Sequence, residues 1–172
     1  MSLDNVKTHF QQWNREKDIM EFDTSSATVD LAAQAIGVAP ARIAKTLSFR
    51  GEGEKAILVV AAGDAKIDNK KFREAFRLKP RMLNPDEVLE QTGHAIGGVC
   101  PFGLTNELDV FMDISLKRFE TVFPACGSSN SAIELTCEEI VQYSFAKGWV
   151  NVCKGWEESP INENIILSNE VI

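Results

Sequence analysis

Seven consecutive residues, Gly97-Gly98-Val99-Cys100-Pro101-Phe102-Gly103, hold three glycines and a proline. A plain turn needs one or two such residues. A run this rich in them brings backbone N–H groups close to a ligand, which suits a carbonyl, a carboxylate or a phosphate. The order is not that of a dinucleotide-binding loop. A Cβ at Gly97 would crowd the space where ligand meets backbone. Lys45 is a second chemical candidate, at the junction of Ile43-Ala44 with Thr46-Leu47-Ser48-Phe49. It is either a solvated strand end or a cation aimed into a cleft, and the pattern alone favours the solvated end. Cys100 stands six positions from His94, which raises a thiol–imidazole pair, but no third residue is evident to orient the imidazole. The cysteines at 100, 126, 137 and 153 include no C-x-x-C pair, and His9 and His94 lie in unrelated contexts, so no metal site is expected. No Ser-His-Asp set is visible either.

The elements that must position these residues follow from caps and periodicity. Leu3, Val6, Phe10 and Trp13 recur at helical spacing. Residues 19–22 form a short strand candidate. Thr28 caps a helix through Ile36 that Gly37 ends, and Pro40 starts a brief second helix to Ala44. Residues 45–50 and 55–62 read as strands joined by Gly51-Glu52-Gly53-Glu54, an antiparallel hairpin. A helix follows from Asp68 or Asn69 to Phe76, with Phe72, Ala75 and Phe76 on its apolar face. Asn84-Pro85-Asp86-Glu87 opens another, ending at Gly93. Strands are expected at 109–114, 121–125, 132–135 and 149–153, with a helical turn around 116–119. Thr136-Cys137-Glu138-Glu139 is a capping box for a helix through Ala146, closed by Gly148. With helices and strands interspersed and no βαβ repeat, the expected fold is a mixed α/β (α+β) domain. A curved, barrel-like mixed β-sheet would be surrounded by helices.

With 172 residues, 44% hydrophobic and 25% charged, the chain reads as one domain over 1–172. The polar stretch from about 157 is either a mobile tail or an added edge element. Apolar runs are too short to span a bilayer and the N-terminus lacks a signal-peptide pattern, so no membrane partner and a cytoplasmic location are expected. The net charge of −7 hides a cluster of seven cations in residues 66–81 against Asp68 and Glu74. Screening limits the reach of distant charge to about 8 Å at physiological salt, so such a patch can hold phosphates; the alternative is a solvated helix face.

The run Thr28-Val29-Asp30-Leu31-Ala32-Ala33-Gln34-Ala35-Ile36-Gly37-Val38, then Ile43-Ala44-Lys45-Thr46-Leu47, resembles the start of the YbaK-type prolyl-tRNA editing family. The 97–103 segment is similar to that family's G-x-x-x-P loop. The order continues through 109–114, Phe119-Glu120, Gly127 and 132–146, so the resemblance covers about residues 20–146.

It implies a trans-acting domain that deacylates mischarged tRNA, needs no cofactor, and has a prolyl-tRNA synthetase as a further candidate partner. It implies that Lys45, Gly97 and Pro101 carry the catalysis, with Lys45 as an electrostatic clamp and the loop amides as oxyanion donors. Such donors contribute about 3–4 kcal/mol in other esterases. A substrate hydroxyl would assist the attacking water. Thr28, Gly98, Val99, Cys100, Asp113, Gly127 and Ser128 would line the substrate pocket. Lys70, Lys71, Arg73 and Arg77, on the helix in the basic cluster, would take acceptor-stem phosphates.

Some relatives place a histidine where this chain has Ser128-Ser129-Asn130-Ser131-Ala132. That leaves the removed amino acid open among alanine, cysteine, serine, threonine and other small residues. Two rivals remain: a non-catalytic module that holds aminoacyl-tRNA or an amino acid, and a Cys100/His94 hydrolase. The oligomeric state is left open.

Overall fold

A computed structural model describes residues 2–157. The mobile tail or edge element expected from about residue 157 lies outside the described residues. Helix α1 (Ser2–Gln11) buries Val6 and Phe10, and strand β1 (Met20–Glu21) follows. In α2 (Val29–Ile36) the Thr28 hydroxyl accepts from Leu31 N, and Gly37 at φ 84° ends the helix. Pro40–Arg42 is a single 3₁₀ turn, and the chain is already extended at Ile43. Strands β2 (Ile43–Arg50) and β3 (Ala56–Ala62) form the expected hairpin. Then come β4 (Lys66–Ile67), α3 (Asn69–Phe76, capped by Asp68) and α4 (Pro85–Thr92), whose Asn84–Glu87 capping box is complete. The rest is β5 (Asp109–Asp113), a 3₁₀ turn (Ile114–Arg118), β6 (Thr121–Pro124), β7 (Ser131–Ala132), β8 (Leu135–Thr136), α5 (Cys137–Ser144), β9 (Gly148–Val150) and β10 (Cys153–Lys154).

Six strands make one curled mixed sheet in the order β8-β6-β2-β3-β5-β9. Hairpin β2–β3 sits at its centre, with β6 parallel to β2 and β5 parallel to β3. All seven residues of β3 are buried, the mark of a strand covered on both faces. Helix α1 closes one side through Phe10, whose ring lies 4.7 Å from Phe102 and 5.6 Å from Tyr143. Helix α3 closes another through a ring stack from Phe49 to Phe72 (4.8 Å), Phe76 (4.7 Å) and Phe111 (5.0 Å). Each such pair adds about 0.5–1.5 kcal/mol beyond its burial.

Several local expectations shift, and the expected 149–153 strand divides into β9 beside β5 and β10 beside β4. The 132–135 run divides, because Ala132 pairs with Met20 while Leu135 pairs with Val122, so its halves serve different sheets. The last helix ends at Phe145, itself left-handed at φ 53°, before Gly148 is reached. Ala75 is exposed; the inward face of α3 is Phe72, fully buried, and Phe76, half-buried.

Candidate functional site

Strand β2 is paired on its outer edge only at its two ends. Ile43 and Ala44 lie beside β6, and Phe49 faces Met82 in an isolated antiparallel bridge. Between them, Lys45, Thr46 and Leu47 have no partner strand on that side among the described residues. Ser48 O accepts from Leu83 N and Arg50 N donates to Arg81 O across this edge. Backbone polar groups two positions apart point the same way, so the N–H and C=O of Thr46 face the gap.

The gap opens into a cavity of about 230 Å³. Its walls are the start of α2 (Ser26, Ala27, Thr28, Val29), the loop residues Ile96, Gly97 and Val99, and Phe123, Ala125, Ser131 and Ala132. Met82, 60% exposed, and Ile96, 62% exposed, make an apolar lip at the mouth.

Lys45 supplies the charge here. Its Nζ donates to Gly63 O (3.2 Å) and to Ala65 O, which leaves one of its three donors unassigned. The turn carrying those carbonyls is fixed by Arg118, which grips Asp64 with both terminal nitrogens (3.0 and 2.6 Å). Gly63 allows that turn, since a Cβ would stand 2.1 Å from Pro40 O. Burial pushes the Lys45 pKa below the ordinary lysine value, against the opposing pull of Cys153 and Asp64.

Two hydroxyl oxygens, Ser26 Oγ and Thr46 Oγ1, are buried without a hydrogen-bond partner among the described residues. Ser26 is only 7% exposed. An unpaired buried polar atom costs about 1–3 kcal/mol, and both oxygens lie behind the cavity lining rather than on its accessible surface. Neither hydroxyl is marked in the sequence, because one belongs to the open edge of β2 and the other to the lead-in to α2, and no local spacing joins them.

The glycine loop divides its duties. Gly97 and Val99 reach the cavity, and their N–H groups make no intramolecular hydrogen bond among the described residues. Gly98 N donates to Ala95 O (3.0 Å), and its missing Cβ lets the loop lie on Gly127 and Ser128, whose backbone would stand 2.8 Å from that atom. A Cβ at Gly97 would meet the Ala27 side chain at 3.1 Å, and φ is 97° there, so the crowding comes from packing and backbone strain rather than from open ligand space. Pro101 is buried and lines a separate hollow with His9, Gly103 and Phe145.

Of the other expected residues, Thr28 alone lines the cavity. Asp113 is fully buried, and its carboxylate accepts from Ser115 N (2.9 Å) and Val152 N (2.9 Å). Gly127, at φ 91°, packs on the backbone of Ser2. Ser128 Oγ bonds Asn130 Oδ1 (3.0 Å) and Ser131 Oγ (2.5 Å), one residue behind the cavity wall. Thr28 lines the cavity while its hydroxyl caps α2. On α3, Lys70 and Arg73 are exposed, Arg77 is the left-handed C-cap, and Lys71 Nζ is engaged by Cys153 O (3.0 Å).

Cys100 and His94 do meet, with Sγ 3.5 Å from Nε2. Yet the thiol is 0% exposed, and burial pushes its pKa up to about 12. At neutral pH that leaves about one thiolate in 10⁵. The imidazole is occupied as well: Nε2 faces the Phe102 carbonyl (2.7 Å) and so carries the proton, and Nδ1 accepts from Ser2 Oγ. Among the described residues no group of three or more His, Cys, Asp or Glu could hold a metal, and no helix is long and apolar enough to cross a membrane.

Comparison with known proteins bears on this cavity. The profile of the aminoacyl-tRNA editing domain family matches residues 23–143. YwhH of Bacillus subtilis (strain 168), a protein of uncharacterised function, is 68% identical over 91% of this chain and 100% of its own length. EbsC of Enterococcus faecalis, named as a candidate Cys-tRNA(Pro)/Cys-tRNA(Cys) deacylase, is 25% identical over 66% of this chain and 70% of its own. A crystal structure described as a candidate trans-editing enzyme for prolyl-tRNA synthetase superposes with a TM-score of 0.80 at 29% identity. It covers 90% of this chain and 98% of that one.

Proposed function

Because the chain belongs to the aminoacyl-tRNA editing domain family, we propose that it acts in trans as an aminoacyl-tRNA deacylase. It hydrolyses the ester of a mischarged tRNA, of the tRNA(Pro) type, that carries a small wrong amino acid. One observation carries the reading. The β2 gap gathers the half-buried Lys45, the free edge of Thr46 and two unbonded loop N–H groups around a small, mostly apolar cavity. A volume of about 230 Å³ suits a small aminoacyl group, with the nucleotide left at the Met82–Ile96 lip.

In this reading Gly97 N–H and Val99 N–H donate to the carbonyl oxygen as it becomes an oxyanion, and the third donor of Lys45 adds positive charge beside it. Water attacks the carbonyl carbon and the bond to the ribose oxygen breaks. The neighbouring ribose hydroxyl passes the proton of the water to that leaving oxygen. The unpaired backbone edge of Thr46 holds the amino group of the substrate. Lys45 acts as an electrostatic clamp through its ammonium, and no protein nucleophile is required. The work is cytoplasmic, and a prolyl-tRNA synthetase is the natural source of the mischarged tRNA.

Backbone amide NMR shifts with an amide-linked, non-hydrolysable alanyl-adenosine test the placement. The reading expects the largest changes at Thr46, Gly97 and Val99. Changes confined to the Pro101–Phe145 hollow would contradict it.

A further inference from the structure

A second and larger hollow, about 630 Å³, lies at the other end of the β2–β3 hairpin. Arg50, Lys55, Arg77, Lys79 and Arg81 line it, against only Glu54 and Glu87. Glu87 is taken by Arg50 in a two-pronged pair (2.6 and 2.7 Å). Lys55 stands 4.0 Å from Asp109. Arg77, Lys79 and Arg81 are exposed and have no carboxylate within 4.0 Å among the described residues. On a chain of net charge −7, this is a local surplus of cations facing one groove.

The groove and the site cavity share a wall. The segment from Arg81 to Leu83 is held extended against β2 by Arg50 N→Arg81 O (2.8 Å) and Leu83 N→Ser48 O (3.1 Å). Side chains alternate along extended backbone. Met82 therefore faces the cavity mouth, while Arg81 and Leu83 face the groove, as the linings of the two hollows bear out. On β2, Leu47 lines the cavity and Arg50 the groove, three residues or about 10 Å apart.

We propose that this groove binds the acceptor-arm phosphates of the tRNA. The strand crosses the Met82 rib before its aminoacylated end drops into the cavity. The proposal rests on the editing reading for its occupant, and of its cations only Arg77 is shared with the helix expected from the sequence to take phosphates. Lys55, Arg77, Lys79 and Arg81 make the phosphate contacts, where the helix face of α3 offers only Lys70 and Arg73 unengaged. Phosphate contacts of this kind position RNA without reading its sequence. Each one released contributes about 0.7–0.9 to the slope of log affinity against log salt.

The test measures binding of uncharged tRNA(Pro) between 50 and 200 mM salt, values that span the steep range. It compares the wild type, Lys55→Gln/Lys79→Gln/Arg81→Gln and Lys70→Gln/Arg73→Gln, with the fold checked by thermal melting. The groove variant should bind at least tenfold more weakly at the lower salt, with its slope shallower by about 2–3. Its deacylation KM should rise on charged tRNA and stay unchanged on aminoacyl-adenosine, which lacks the phosphates. The α3 variant should resemble wild type. If the triple variant fails to fold, Lys79→Gln alone should reduce the slope by about 0.7–0.9.

A folded groove variant with wild-type affinity and slope overturns the proposal, as does a wild type that binds no tRNA. If the wild type edits and the groove variant matches it, the groove falls and the editing reading stands. If the wild type edits nothing but loses tRNA affinity in the groove variant, the editing reading falls and the groove stands.

Discussion

Replacing Lys45 by methionine removes the ammonium and keeps most of the stem. Two of the three donors on Nζ go to the Gly63 and Ala65 carbonyls, and the third is the one assigned to the reacting ester. A hydrogen bond to a charged group is worth about 1.5–3 kcal/mol. If it is made fully only as the oxyanion forms, its loss slows deacylation by about 10- to 150-fold. Stability should respond differently. Burial lowers the Lys45 pKa, so the fold carries the ammonium at a cost that methionine relieves. Against that, two carbonyls lose a donor. These opposed effects leave a net change within about 1 kcal/mol, or about 2–4 °C in Tm for a chain of this size. Single-turnover release of amino acid from Ala-tRNA(Pro), paired with thermal melting, reads both quantities. A folded variant with the wild-type rate refutes the placement of the site. A fall in Tm large enough to explain the lost rate would make Lys45 a strut for the 63–65 turn.

Gly97→Ala should lose rate and stability together, because φ is 97° and the new methyl meets Ala27; about 1–3 kcal/mol is expected by denaturant unfolding. Cys100→Ser should keep kcat within about twofold while costing about 1–2 kcal/mol of stability for the buried hydroxyl; a dead but folded variant would restore the thiol hydrolase. His9 and His94 both have pKa values lowered by burial. Below the unfolded value of about 6.5, the unfolded chain takes up protons that the folded chain refuses, so stability falls as pH falls. Melting from pH 7.5 down to pH 5 should show Tm dropping below about pH 6.5, with the drop reduced in His94→Gln.

Local chemistry made the helix ends legible. Thr28 with Gly37, and the capping boxes at Asn84 and Thr136, fix α2, α4 and the start of α5 through contacts three or four residues apart. Gly51 and Gly53 mark the hairpin in the same way. The parallel pairings of β2 with β6 and of β3 with β5 join residues dozens of positions apart, and nothing in either partner announces the other. The candidate site suffers most from this. Its defining feature is the stretch of β2 that β6 and Met82 leave open, a consequence of pairing and not of composition. The residue pattern therefore points to the glycine loop, and only the family resemblance to Lys45 and Thr28, while neither marks Ser26, Thr46, Met82 or Ile96 beside them. It also could not show that Gly98 is spent on a backbone crossing at Gly127.

The central claim is that this cavity hydrolyses an aminoacyl ester in trans. It is tested most directly by time-dependent amino acid release from a panel of tRNA(Pro), tRNA(Ala) and other tRNAs charged with wrong amino acids. The protein is kept far below the RNA. The account predicts many turnovers per protein molecule for at least one small amino acid on a tRNA(Pro)-type substrate, and loss of that turnover in Lys45→Met. Stoichiometric binding that protects the ester from spontaneous hydrolysis, with no substrate turned over, would contradict it and make the domain a binding module.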